Sequence, residues 1–483
     1  MANPYIINPR HVVDWMGQNT DEGTGFPGSF WIPPDQHERV YRLTSDKLEW
    51  TALRLGANMY DVANAMMFWT QQELYHRVDV IVRALDRGYI GAAPTLELKA
   101  YFNPSHISAH PYAYGPHAGR QHDYWFFRMT NKDGHYHLNQ VYADEAHFPN
   151  GWCDWYPFAG ENAWLVLALI YYYQKSDDSK ALDIARHIAL GALYLQDPMT
   201  GGVRMAPRGT HHTKEEGLDP EQRTIWYNTI STENNISWWA AFEQLFRITQ
   251  EMKYEDARED ISDYLRNVFD RKKNMFATGM VHADGKWTHN TRFATDCQTW
   301  AICVLGPDLI DEWFESPGMA IDIWRKTKTE AGFYQDESLH GVDFTNWRAL
   351  GRQPMISYEW TAGAILATRL LRVYYQSNES TYASEVEIDE DQMRRYCLSR
   401  MLHVDDQHLA WPYASGKGRS ACRATGFGWY APTEEVLSLA STIWMMHVHN
   451  PQKMFHPFAL GFLHDQVDSD GNPFFRFFKW FDR

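Results

Sequence analysis

Six acidic residues, Asp61, Glu161, Glu233, Asp296, Glu359 and Glu434, each open an apolar stretch that follows a polar or Gly/Pro-containing loop. They recur 63 to 100 residues apart. A hairpin of two helices with its loops needs roughly 50 to 75 residues, so the spacing fits one acidic residue per hairpin. Asp and Glu are favoured in the first turn of any helix, where they complement the macrodipole and accept from free N–H groups. Capping therefore explains any one of the six taken alone. The recurrence carries more. If the apolar helices run parallel, all their N-termini meet at one end, and so do the carboxyls. A ring of carboxylates with tryptophans beside it is suited to chemistry on sugars.

The elements that would position these residues are legible as two kinds of helix. ENAWLVLALIYYY (161–173) and ENNISWWAAFEQLF (233–246) are apolar nearly all round. Each is followed by an amphipathic stretch, YQKSDDSKALDIARHIALGAL (173–193) and TQEMKYEDAREDISDYLRNVF (249–269). Further apolar stretches begin at Tyr60, Asp296, Glu359 and Pro432. An all-round apolar helix belongs inside and an amphipathic one outside. The pattern predicts an all-α fold, an (α/α)6 barrel or six-hairpin toroid, as one domain over residues 1–483 with no Pro/Ser-rich linker. The long first gap falls in 86–150, rich in Gly, Pro, His and aromatics, and reads as a long loop or small β insertion at the barrel mouth. The strand-like patches FYQDES (333–338) and HYHLNQVYAD (135–144) are expected in loops.

Several loops add side chains of interest. GWCDWYPFAGENAW (151–164) carries Asp154, Trp155 and Trp164, and TISTENNISWW (229–239) carries Glu233 and Trp238. GVDFTNWRALGRQPMISYEWTAG (341–363) holds Arg348, Arg352 and Trp360. Two arginines in one loop can clamp an anion, or form an ordinary loop salt bridge. His211 and His212 are adjacent, and 106–125 contains four histidines, but neither matches a zinc-ligand spacing. No metal site and no cofactor is expected. There is no G-x-S-x-G, no P-loop and no G-x-G-x-x-G after a strand.

A net charge of −16 argues against a general nucleic-acid binder, which needs a basic surface. No run of about 18 apolar residues is present, so no membrane span is expected. MANPYIINPRHVVDW lacks the charged and apolar regions of a secretory signal. Five cysteines with no C-x-x-C pair fit a reducing, cytoplasmic compartment better than a disulfide framework. Oligomeric state is not legible. The 21 Trp, 27 Tyr and 25 Phe must mostly fill core, but the excess raises the odds of a carbohydrate ligand.

The series NMYDVA (58–63), GENAWLVLAL (160–169), STENNISWWAAF (231–242), ATDCQTWAICVLG (294–306) and SYEWTAGAILA (357–367) resembles bacterial proteins of the six-hairpin glycosidase superfamily, over roughly residues 50–450. The resemblance implies a glucoamylase-like (α/α)6 barrel and a glycan-handling enzyme. In those relatives the third motif reads closer to S-T-E-H-N, and here Asn234 stands where the histidine would be. Many such barrels hydrolyse with inversion, using a carboxylic acid and a carboxylate about 6.5–9.5 Å apart. On that basis Glu233 is the expected general acid and Glu359 or Asp296 the base. Asp61, Glu161, Asp154, Trp155, Trp164, Trp238, Arg348 and Trp360 are expected to bind a polysaccharide or oligosaccharide. Two alternatives stand: a polysaccharide lyase or sugar epimerase on the same barrel, working through His, Tyr or Arg, and a glycan-binding or assembly protein without catalysis.

Overall fold

The computed structural model describes residues 7–43, 50, 53–90, 126–127, 130–132, 157–208, 210, 213–215, 222, 224–376, 379–405, 407–416 and 423–463. Most of 86–150 lies outside the described residues, as do 135–144, His211, His212, Asp154 and Trp155.

After two short N-terminal helices, α1 (Pro9–Gln18) and α2 (His37–Leu43), the helices alternate in character. The inner set is α3 (Met59–Gln71), α5 (Ala159–Ser176), α7 (Thr232–Thr249), α9 (Thr295–Trp313), α11 (Tyr358–Gln376) and α13 (Leu439–Val448). Most of their residues are buried on every face, as the apolar runs require. Between them come the amphipathic α4 (Tyr75–Ile90), α6 (Ser179–Leu195), α8 (Met252–Asn267), α10 (Met319–Ala331) and α12 (Ser380–Ser399). Each inner helix packs on the next, and α13 closes the ring against α3. The sixth outer position is taken by α1 from the other end of the chain, which packs on α13 and on strand His408–Pro412.

The connections differ at the two ends of the barrel. An inner helix reaches its outer partner through few residues, such as Asp177–Asp178 or Gln250–Glu251. The return to the next inner helix is long, and it carries the strands. Thr229–Ser231, Gly279–Ala283 and Lys286–Asn290 form one small sheet ahead of α7 and α9. Gly332–Gln335 and Ser338–Val342 form a hairpin ahead of α11. FYQDES is thus the turn of a β-hairpin rather than plain loop. Phe30–Trp31, Leu437–Ser438, His408–Pro412 and Leu402–Asp405 form a four-stranded antiparallel sheet ahead of α13. The long connections therefore crowd the end where the inner helices begin.

That sheet also corrects the sixth helix. The sequence predicts it from Pro432, with Glu434 in its first turn. Leu437 and Ser438 are instead held extended by pairing with Trp31, Phe30, Pro412 and Trp411, and the helix starts at Leu439 under the cap of Ser438. Glu434 lies in the preceding turn.

The helix begun by Asp296 continues past its expected end at Gly306. Gly306 adopts φ +79°, a conformation open to glycine, and Pro307 then kinks the helix. A proline breaks the bond to the carbonyl four residues back, here that of Cys303. The His456 ring nitrogen Nε2 donates to that carbonyl at 3.0 Å, so the freed acceptor is not wasted.

Candidate active site

Five of the six acidic residues stand where the sequence places them, in the first turns of α3, α5, α7, α9 and α11. Glu233 accepts from Ser237 Oγ at 3.3 Å and, with the Asn234 amide turned to satisfy both neighbours, from Asn234 at 2.5 Å. Gly160 makes this approach possible: a Cβ there would stand 2.3 Å from Asn234 Oδ1 and 3.3 Å from Glu233 Oε2. Asp296 accepts from its own helix start, at Cys297 N, at 2.7 Å. Glu359 accepts from the Tyr60 hydroxyl at 2.6 Å. Asp61 is bonded by the Ser29 hydroxyl and the Ala440 N–H. Glu161 accepts from Asn58 Nδ2 at 3.0 Å, and Asn58 also caps α3.

Four of these carboxyls act on one another. Burial pushes Glu233 up to about 8, and the charge of Asp296, then that of Glu359, adds to it. Burial lifts Glu359 to about 8 against the pull of the Tyr60 hydroxyl, with Asp61 and Asp296 raising it further. Asp296 and Asp61 are each lifted to about 7 by burial, opposed by their N–H and hydroxyl donors. Asp61, Asp296 and Glu359 are buried, whereas Glu233 keeps a partly accessible face. Buried carboxyls that raise one another resist full ionisation at neutral pH, so the set holds protons and titrates together.

These carboxyls bind protons more tightly folded than unfolded, so their contribution is fully present below about pH 4 and is lost as pH rises through 7 to 8. Glu359→Gln removes one such group. Its unfolding free energy should match the wild type at pH 4 and exceed it by about 1–3 kcal/mol at pH 8.5, read by guanidinium titration at both pH values. Equal stability at both would show that Glu359 is not held protonated.

Two tyrosines that sequence reasoning missed organise the cluster. Tyr60, beside Asp61, sits on a floor of indoles from alternate inner helices. Trp164 and Trp300 lie 5.3 Å apart, and Trp300 stacks on Trp444 at 5.7 Å. Trp444 Nε1 donates to the Tyr60 hydroxyl at 2.6 Å, which directs the hydroxyl hydrogen at Glu359. Burial and then the Glu359 charge push the Tyr60 hydroxyl well up, so it stays a donor. Tyr413, from strand His408–Pro412's end, feels Glu359, Asp61 and Asp296 together. Its place within reach of these charges comes from strand pairing, which carries no local signal.

Of the tryptophans expected to face sugar, the three among the described residues are buried. Trp164 belongs to the floor's buried stack, and Trp238 is fully buried, donating to Ala159 O at 2.9 Å and stacking on Phe126. Trp360 is buried against Phe344. Each lies on an inner helix between packed neighbours, and none offers an open ring face to solvent. Arg348 is exposed, lies over Trp347 and donates to Thr329 O, so it is not at the carboxylates. Arg352 forms the loop salt bridge, with two bonds to Asp343 at 2.6 and 2.7 Å. Among the described residues no group of three His, Cys, Asp or Glu has the arrangement to hold a metal ion, and no helix is long and apolar enough to cross a membrane.

No protein-family model matches the chain, and no curated protein matches it. Solved structures do. A cellobiose 2-epimerase from Bacillus thermoamylovorans is 13% identical, with a TM-score of 0.53, over 90% of this chain and 95% of that one. A D-mannose isomerase is 12% identical, with a TM-score of 0.51, over 90% and 94%. A family 76 α-mannanase from Bacteroides thetaiotaomicron is 11% identical, with a TM-score of 0.50, over 92% and 96%. These likenesses, with the closed ring of six inner helices, show that the chain has an (α/α)6 barrel fold.

Proposed function

We propose that this protein is a sugar-active enzyme that hydrolyses a glycosidic bond in an oligosaccharide or polysaccharide with inversion. A continuous apolar core from Ile7 to Leu460 supports treating the chain as one catalytic unit. The observation that carries the reading is the set of four interacting carboxyls, Asp61, Glu233, Asp296 and Glu359, at the helix-start end of the barrel. Glu233 is the general acid: protonated near neutrality and partly accessible, it gives its proton to the glycosidic oxygen as that bond breaks. Glu359 is the base: the Tyr60 hydroxyl at 2.6 Å stabilises its ionised form, so it carries the charge when the interacting set gives up a proton, and it then takes a proton from the water that attacks the anomeric carbon from the opposite face. Helices α7 and α11 are two places apart in the ring, with α9 between them. An inverting pair needs room for a water between its two carboxyls, and carboxyls drawn from non-adjacent helices of the ring suit that requirement. Asp296 and Asp61 bind hydroxyls.

The test is the wild-type protein against cellobiose, D-mannose and α-mannan, together with a wider panel of neutral oligosaccharides, followed by NMR of the anomeric protons. Chain shortening with inverted anomers is expected. Interconversion of free sugars without shortening would make it an epimerase or isomerase, as the named functions of two structural neighbours allow, and an unsaturated product would make it a lyase. Tyr60→Phe should lower kcat by about tenfold, one lost charge-assisted hydrogen bond, with little change in KM. Without that donor Glu359 ionises less readily, so the acid limb of the pH profile should move to higher pH. A Tyr60 that only packs would leave that limb in place.

A further inference from the structure

We infer that the hairpin 424–430 is a stacking platform for one neutral pyranose ring, next to the sugar held by the carboxyls. The inference rests on the glycan-hydrolysing reading and extends it to a second subsite. Trp429 and Tyr430 are 39% and 45% exposed. Isolated exposed aromatics need no explanation, but these two sit on a loop built to hold them. Ala424 pairs with Tyr430, and Thr425 closes the loop on Trp429 O through its N–H at 3.1 Å and its hydroxyl at 2.8 Å. Gly426 and Gly428 take φ of +92° and +99°, which lets the chain turn this tightly. The base is fixed by the buried Arg352, whose Nε donates to Ala424 O at 2.7 Å while its other nitrogens bind Asp343. Phe427 lies 6.0 Å from Trp360 and 5.9 Å from Trp429.

The link to the carboxyls is one hydrogen bond. Trp429 Nε1 donates to the Tyr413 hydroxyl at 3.2 Å, and the charges of Glu359, Asp61 and Asp296 act on that hydroxyl; Phe427, beside Trp429, lies against Trp360, the neighbour of Glu359 on α11. The indole is thus fixed by its edge at the site while its ring stays open to solvent. A rigid, open aromatic face beside hydroxyl-binding carboxylates matches a pyranose, whose C–H face packs on the ring while its hydroxyls point outward. The neighbouring carboxylates disfavour a sugar acid. The substrate is therefore at least two neutral units long.

The test measures binding of neutral gluco-, manno-, galacto- and xylo-oligosaccharides of one to four units to the full chain by calorimetry, in wild type, Trp429→Ala and Trp429→Phe. The best-bound oligosaccharide should bind about tenfold or more weakly to Trp429→Ala, the loss of one aromatic stacking contact. Trp429→Phe should retain most of the affinity, and monosaccharide binding should not change. Oligosaccharides bound and cleaved equally well by wild type and Trp429→Ala would overturn the platform and leave the hydrolase reading standing. Failure of every saccharide to bind or react with the wild type would overturn that reading, and the platform with it.

Discussion

Glu233→Gln is expected to lower kcat by about 10²–10⁴-fold, the range that a positioned general acid supplies. Glutamine keeps the shape and can still bond Ser237, but it has no proton to give to a leaving oxygen. Binding of oligosaccharide should survive, because Asp61, Asp296, Glu359 and Trp429 are untouched. The pH profile sharpens the expectation. In the wild type the alkaline limb of kcat/KM should fall near pH 8, where Glu233 loses its proton. Glu359→Gln should be comparably inactive, and the limb lost with it should be the acid one. Near-normal turnover in Glu233→Gln would remove it from the chemistry.

Arg352→Ala should be the most destabilising single change outside the carboxyl cluster, by about 3–5 kcal/mol, the cost of breaking a buried ion pair from one side. Asp343 is fully buried, and burial holds its carboxyl above the usual range even beside the guanidinium. Its remaining donors are the backbone N–H groups of Phe344, at 2.7 Å, and Met355, at 2.8 Å. Without Arg352 a carboxylate would be left with no counter-charge in an apolar setting. The lost bond to Ala424 would also free the aromatic hairpin. Asp343→Asn combined with Arg352→Met removes both charges and should recover much of the stability but not the hairpin's hold on sugar. Chemical unfolding of the variants reads the first effect. A loss under about 1 kcal/mol for Arg352→Ala would show that the pair is not needed.

The barrel was legible because its signal is local. A helix apolar on all faces, preceded by an acidic first turn, says where it starts and that it is inside, and five of six such starts coincide with the structure. The sixth failed because Pro-Thr-Glu-Glu imitates a helix start. What keeps 437–438 extended is pairing on one side with Trp411 and Pro412 and on the other with Phe30 and Trp31, some 400 positions earlier in the chain. The carboxyls at the helix starts were legible for the same local reason. The aromatic wall was not. Trp164, Trp238 and Trp360 share inner helices with the carboxyls, one to five residues further on, but their rings pack against neighbouring elements. Trp429 lies in a Gly-rich loop whose exposure is set by Arg352 and Tyr413, and no spacing in the sequence announces either contact. Tyr60 adjoins Asp61 yet points at Glu359, a partner 299 residues away.

The most direct measurement is the crystal structure of Glu233→Gln with a bound neutral oligosaccharide. The glycosidic oxygen should lie within hydrogen-bond reach of the residue 233 amide. A water should sit between Glu359 and the opposite face of the anomeric carbon, with the two side-chain termini about 6.5–9.5 Å apart. Sugar bound away from the helix starts, or Glu233 and Glu359 each turned to its own backbone with no common cavity, would contradict glycoside hydrolysis at this mouth.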